Sequence, residues 1–268
     1  MTNNIHTLSP DTDLYQRPAV KTYDRFPSPD FDPVIRFIKR YKPDPGRSFD
    51  VGCGTGTLIE KLSAEGWNAL GCDPSKDMVS RASQKINPQS ISMSDATNFD
   101  IENKVDLITS TFDVLNHLTS LNDVKKFFIR AYEKLDSNGI LIFDTVTPND
   151  IKYNWPRYVH VENLEDTYII IRGQTVKARV GRLYYDFFIQ EKSGVYSKHS
   201  EIHTLRALPL NWTLNCLRSI GYKNIVHIDA MNLNKSSDKT VRWMFSAKKT
   251  PSLPVKFKKT GKNKEGSF

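Results

Sequence analysis

A chain of 268 residues has room for one large α/β domain, or for one domain carrying a substantial insertion. Charged residues at 25% and aromatics at 11% describe an ordinary soluble globular protein, no apolar run approaches a membrane span, and residues 1–18 lack the pattern of a secretion signal. The net charge of +8 sits mostly at the end: from Lys248 to Phe268 seven lysines face one acid, which accounts for +6 and leaves +2 for everything before.

Residues 1–20 read as an irregular start. Tyr23 and Asp24 open the patterned part, and apolar spacing from Phe31 to Tyr41 predicts a helix that Pro43, Pro45 and Gly46 end. A strand over Ser48 to Val51 stops in the run Asp50-Val51-Gly52-Cys53-Gly54-Thr55-Gly56. A helix over Thr57 to Glu65 follows, with Leu58, Ile59 and Leu62 on one face, and a second strand ends at Asp73, seventeen residues after Gly56. Next come a helix over Ser75 to Lys85 and the segment Met93-Ser94-Asp95-Ala96. A strand over Val105 to Ser110 then leads into Thr111 to Leu118. A longer helix spans Leu121 to Leu135, and Gly139 to Pro148 is a near-continuous apolar run of the kind buried on both faces of a parallel sheet.

After Pro148 the pattern changes to alternation. Short strands are predicted at 168–171, 175–180, 183–189 and 195–205, joined by turns at Gly173, Gly181 and Ser193-Gly194. A helix from Leu208 to Ile220 then returns, followed by strands at Ile225 to Ile228 and Val241 to Ala247.

The glycine run is the most informative feature. Glycines at three alternate positions let the backbone press against a bulky ligand, because a Cβ would occupy the ligand's volume. An acid about twenty residues on, at the tip of the next strand, is placed to accept hydrogen bonds from two ribose hydroxyls. A dinucleotide fingerprint would have its third glycine where this chain has Thr57, and no Gly-x-x-x-x-Gly-Lys-Ser/Thr loop occurs. Asp50 would repel a pyrophosphate and suits the cationic amino-acid end of a ligand.

The run from Asp50 to Gly56, together with Asp73, resembles motif I of the class I S-adenosylmethionine-dependent methyltransferases. The resemblance implies an α/β fold: a seven-stranded, mostly parallel, doubly wound (Rossmann-like) sheet with an antiparallel β excursion between strand 5 and the last helix. It divides the chain into a flexible N-terminus (1–20), a cofactor-binding core (21–148), a substrate-side insertion (149–206), a completion of the core (207–248) and a basic disordered tail (249–268). S-adenosyl-L-methionine is the implied cofactor and S-adenosyl-L-homocysteine its product. Asp50, Gly52, Cys53, Gly54, Gly56 and Asp73 are implied to hold the amino-acid and ribose parts. Asp95 is implied to meet the adenine amine, with Ala96 supplying an amide, although Asp95 also fits an Asx turn or a helix N-cap. Thr111 and the loop after it are implied to approach the methyl group. The order of elements and the place of the excursion resemble small-molecule methyltransferases of the amino-sugar and glycine/sarcosine kind, which implies a nitrogen or oxygen acceptor.

Methyl transfer from a sulfonium is an in-line displacement with a neutral leaving group, so alignment supplies much of the acceleration. A base is needed only where the acceptor begins protonated. His117 is the first candidate, and a helix-start residue satisfied by backbone is the equal alternative. His199 and His203, four apart on one strand, share a face, and one of them can look into the cleft. Tyr23 can cover the sulfonium by cation–π contact, or simply pack. Tyr184 and Tyr185 point to opposite faces, and Asp113 can meet a cationic acceptor or cap the next helix. His117, His203 and Tyr23 are the expected catalytic-side residues. No metal is expected, since Asp113 alone makes no carboxylate cluster. Cys53, Cys72 and Cys216 cannot all pair, which fits a reducing, cytoplasmic setting. The lysine-rich tail leaves an RNA or protein methyltransferase as the rival reading, with nucleic acid disfavoured by the few aromatics there. A non-catalytic cofactor-binding regulator is the second rival. The excursion's edges would suit a homodimer.

Overall fold

The computed structural model describes residues 20, 22–23, 25 and 30–250. Apart from Val20, the irregular start lies outside the described residues, as does the lysine-rich stretch after Thr250.

Helix α1 (Asp32–Tyr41) leads into an alternating run: β1 (Arg47–Val51), α2 (Thr57–Ala64), β2 (Asn68–Asp73), α3 (Lys76–Ala82), β3 (Ile91–Met93) and β4 (Val105–Ser110). The one-turn α4 (Val114–His117), α5 (Leu121–Lys134) and β5 (Leu135–Val146) complete it. Four strands follow: β6 (Val159–Leu164), β7 (Thr167–Lys177), β8 (Val180–Gln190) and β9 (Tyr196–Arg206). Then come α6 (Leu210–Ile220), β10 (Tyr222–Asp229) and β11 (Arg242–Lys249). The main sheet has seven strands in the order β10-β11-β5-β4-β1-β2-β3. It is parallel from β3 through β5, while β11 is antiparallel to both β5 and β10. This is the α/β doubly wound sheet that the sequence predicts. Among the described residues no helix is long and apolar enough to cross a membrane.

Alternation along β5 explains how both faces of the sheet are covered. Leu141 and Phe143 point into the layer of α5 and α6, whereas Ile140 and Ile142 point into the layer of α1 and α2. In α5, Val124, Phe127, Phe128 and Ala131 recur at helical spacing and are fully buried. Removing each phenylalanine from water contributes about 2–3 kcal/mol. The chain runs outward from β1 to β3 and then returns to β4. Strand order therefore reverses between β1 and β4, and the connections leaving their carboxyl ends diverge to open a crevice.

β6 to β9 form a second, antiparallel sheet in sequential order. Its strands differ from those expected. Gly173 and Gly181 were expected in turns, but they lie inside β7 and β8, and the real turn is at Ala178 and Arg179. Both glycines make room for the buried Trp155: a Cβ on Gly173 would come within 2.5 Å of the Trp155 carbonyl oxygen, and one on Gly181 would collide with the indole ring. Strand β6 was not foreseen, because Val159–Leu164 mixes apolar and polar residues without a turn signal at its ends.

Candidate functional site at the end of the first strand

Three left-handed glycines turn the chain from β1 into α2: Gly52 (φ 76°), Gly54 (φ 53°) and Gly56 (φ 81°). Their jobs differ. A Cβ on Gly54 would stand in open space within the crevice, one on Gly52 would collide with Val114, and one on Gly56 would lie 3.0 Å from Ile86. Gly54 alone keeps ligand volume free, a narrower role for the motif than the spacing suggested. Gly56 does not line the crevice.

The crevice encloses about 340 Å³. Asp50, Asp73 and Asp95 line it, and among the described residues no lysine or arginine does. Asp73 is held by two backbone amides: Gly54 N–H donates to its Oδ2 at 2.9 Å and Ser75 N–H to its Oδ1 at 2.8 Å. Each oxygen keeps a second lone-pair direction for a ligand. Asp50 is 4% exposed and accepts a 2.7 Å hydrogen bond from the Thr109 hydroxyl. Burial pushes Asp50 up to about 7, opposed by the Thr109 hydrogen bond and assisted by the charge of Asp73. Burial likewise raises Asp73 to about 6 against its two amide donors. Two buried carboxylates that resist ionisation in the free protein make a site that a positive ligand would relieve.

Asp95 forms the Asx turn, its Oδ1 accepting from Thr97 N–H at 2.7 Å and from the Thr97 hydroxyl at 2.6 Å, and it lines the crevice beside Ala96 as well. Cys53 also lines the crevice, and Cys72 is buried behind it; burial raises both thiols, Cys72 to about 12, so neither ionises near neutrality.

Beyond β4 the wall consists of Thr111, Phe112, Val114 and His117. Phe112 (φ 57°) and Asp113 (φ 72°) are both left-handed, at a cost of about 1–2 kcal/mol each for side chains with a Cβ. A buried ion network offsets that strain. Asp144 accepts from Phe112 N–H at 2.9 Å and from Asp113 N–H at 3.4 Å. Arg242 bridges Asp144 at 3.0 Å and Asp113 at 2.8 Å. Asp113 thus makes no side-chain cap on α4. The network turns Phe112 toward Phe31, whose ring it meets edge-on at 4.6 Å. Sequence reading missed Asp144 and Arg242. The available signal was an acid in the middle of the apolar run Ile140 to Val146. Asn116 was missed too: its amide donates to Thr145 Oγ1 at 2.7 Å and to the Arg206 carbonyl at 2.8 Å, which ties α4 to β5 and β9.

His117 lines the crevice, and burial lowers it to about 4, with His203 adding to the effect and Asp113 opposing it. The His203 ring stands 5.5 Å from His117 on the inner face of β9, behind the crevice wall. His199 is exposed. Tyr23 lines the crevice mouth. Tyr185 packs 4.6 Å from His203, whereas the Tyr184 hydroxyl turns outward to Gln174 at 2.7 Å. The structure therefore brings Tyr23, Asp50, Gly52, Cys53, Gly54, Asp73, Asp95, Ala96, Thr111 and His117 around one space, with His203 one layer back and Gly56 turned to the protein side.

Comparison with known proteins finds methyltransferases. Residues 49–141 match the methyltransferase domain family. YqeM of Bacillus subtilis (strain 168), a protein named as a methyltransferase on a provisional basis, is 27% identical over 230 residues, covering 83% of this chain and 92% of that protein. An S-adenosylmethionine-dependent methyltransferase from Clostridium acetobutylicum ATCC 824 superimposes with a TM-score of 0.72 at 24% identity, covering 82% of this chain and 90% of the other. The sugar N-methyltransferase KedS8 from Streptoalloteichus sp ATCC 53650 also reaches 0.72, at 18% identity, covering 86% and 92%.

Proposed function

We propose, for this member of the class I S-adenosylmethionine-dependent methyltransferase superfamily, the transfer of a methyl group to a small-molecule nitrogen or oxygen acceptor. One observation carries the reading: the crevice at the β1–β4 reversal is lined by three carboxylates and, among the described residues, by no lysine or arginine. A phosphate-bearing cofactor would be repelled there, while a sulfonium with an α-ammonium group would be attracted.

The residues present fit that cofactor. Gly54 leaves open the volume that any Cβ would fill. Asp50 would pair with the positive amino-acid end, Asp73 would take the ribose hydroxyls on its unused lone pairs, and Asp95 with Ala96 would meet the adenine edge. When bound, the sulfonium supplies an already activated methyl group. The protein's own contribution is alignment and exclusion of water. Phe31 and Phe112 form an apolar wall, Tyr23 closes the mouth within cation–π reach of a positive ligand, and His117 faces the acceptor side. The insertion over 149–206, whose sheet brings His203 up behind His117, is the element that would select the acceptor.

The test is mass spectrometry after incubation with trideuteromethyl-labelled S-adenosylmethionine, a metabolite extract and total RNA, with Asp73→Ala as control. Label in a discrete small molecule, lost in the control, is the expected result. Label confined to RNA or protein would overturn the small-molecule reading.

A further inference from the structure

The inner face of the four-stranded sheet carries two apolar clusters. Ile169, Ile171 and Phe187 form one cluster, and Leu205 packs with Trp155 and Ile151 in another. Tyr185, Glu201 and His203 lie between them on the neighbouring strands β8 and β9, with Tyr185 in register with Glu201. The Glu201–His203 pair is more deeply buried than the imidazole–carboxylate contact of His160 with Glu162, on β6 of the same face. The His203 and Glu201 side chains are 4% and 9% exposed, and Glu201 Oε2 lies 3.1 Å from His203 Nε2. A carboxylate beside an imidazole in this setting costs several kcal/mol of desolvation that an apolar pair would avoid. Packing alone does not account for it.

His203 sits behind the crevice wall, but its ring stands edge-on to His117 at 5.5 Å, and His117 lines the crevice. Polar groups therefore run from the crevice through α4 into the sheet, in the order His117, His203, Glu201.

Given the methyl-transfer reading on which this rests, we propose that Glu201 is a positioning residue that lets the His117–His203 pair take up the proton released by the methyl acceptor. The acceptor's N–H or O–H bond breaks, and the electron pair left on nitrogen or oxygen forms the new bond to the methyl carbon. The old carbon–sulfur pair stays on sulfur, and the proton resides on the imidazole pair. Its charge is balanced by the Glu201 carboxylate, so the buried cluster never carries net positive charge.

His117 alone would be a poor proton acceptor, because burial and then His203 hold it near 4. Shared between two interacting rings, the proton belongs to the pair, and a carboxylate 3.1 Å from one ring removes most of the penalty. Among the described residues, titratable groups that face the cluster include Tyr185 from β8, Tyr158 just before β6, Tyr23 at the crevice mouth and Asp113 before α4. Burial, then Asp113 and the other groups, raises the Tyr185 phenol, and burial also raises Tyr158. Asp113 is already paired with Arg242. Among the described residues Glu201 is the carboxylate in direct contact with the histidine pair, 3.1 Å from His203 Nε2.

The test is a pH titration of the His117 and His203 imidazole signals by NMR on the full chain saturated with S-adenosylhomocysteine, assigned through His117→Asn and His203→Asn. In the wild type the two rings should titrate as a coupled pair, and Glu201→Gln should lower the upper apparent pKa by about one unit or more, a tenfold loss of proton affinity. Identical titrations in the two proteins would overturn the proposal. If Glu201→Gln does not fold, Glu201→Asp must still lower that value, since it holds the same charge farther from His203; no change there would also overturn it. In parallel, label transfer into the metabolite extract should fall about tenfold in Glu201→Gln near pH 7, and the deficit should shrink toward about pH 9 as the acceptor loses its proton to water. A deficit that stays constant across that range makes Glu201 merely structural. If the wild type labels no small molecule, the methyl-transfer reading itself fails, while the titration still decides the histidine pair.

Discussion

Binding of S-adenosylmethionine should weaken about tenfold between about pH 8 and about pH 6, because the positive end of the ligand meets Asp50. Asp50 is 4% exposed, and burial holds it at about 7 in the free protein. At the upper pH about nine molecules in ten carry the Asp50 charge, and at the lower about one in ten. A cation beside the carboxylate keeps it ionised in the complex through that whole window, so affinity follows the ionised fraction of the free protein. The tenfold change corresponds to ~1.4 kcal/mol. Asp73, raised to about 6, adds about a further factor of two at the lower end. Calorimetry in two buffers of different ionisation enthalpy reads both the affinity and the protons released near pH 6, about one from Asp50 and about half of one from Asp73. Asp50→Asn lacks the first of these. It should bind more weakly at every pH, with only the slope that Asp73 and the ligand's own amine supply. Equal slopes in wild type and Asp50→Asn would refute the pairing of Asp50 with the ligand's charge.

Asp50 also bears on the stability of the free protein, since a carboxylate whose pKa rises on folding stabilises below its unfolded value and loses that contribution as pH climbs through its folded one. Asp50→Asn should therefore gain on wild type in urea midpoint between about pH 4 and pH 7, by on the order of 3 kcal/mol at the top of that window, and a constant offset would contradict this. Gly54→Ala should abolish cofactor binding in calorimetry while costing only about 1–2 kcal/mol of stability, the price of a left-handed alanine. Gly52→Ala should cost more stability than Gly54→Ala in the same melt, because its Cβ meets Val114. Arg242→Met leaves the buried Asp144 and the partly exposed Asp113 without their cation and should lose about 3–5 kcal/mol in denaturant titration; a loss under about 1 kcal/mol would show that the network does not hold the Phe112 turn.

The glycine turn and the carboxylates of the crevice, the half proposed to hold the cofactor, were legible in the sequence because their determinants are local. A strand, three glycines, a helix and an acid at the next strand tip lie within Asp50 to Asp73, and backbone sterics in that stretch dictate the turn with little help from the rest of the chain. The layers of the main sheet were legible for a similar reason, since the two faces of β5 and the stripe of α5 are written as periods of two and of three to four. The half proposed to take the acceptor was decided by tertiary structure. Gly173 and Gly181 look like turns until Trp155 is seen filling the space they leave. Arg242, Asp113 and Asp144 come from three distant segments, and only the pairing of β11 with β5 brings them together. Glu201 has no meaning as a sequence position. It acquires one when β9 lies against α4, because a charge in the protein interior takes its chemistry from the groups that surround it.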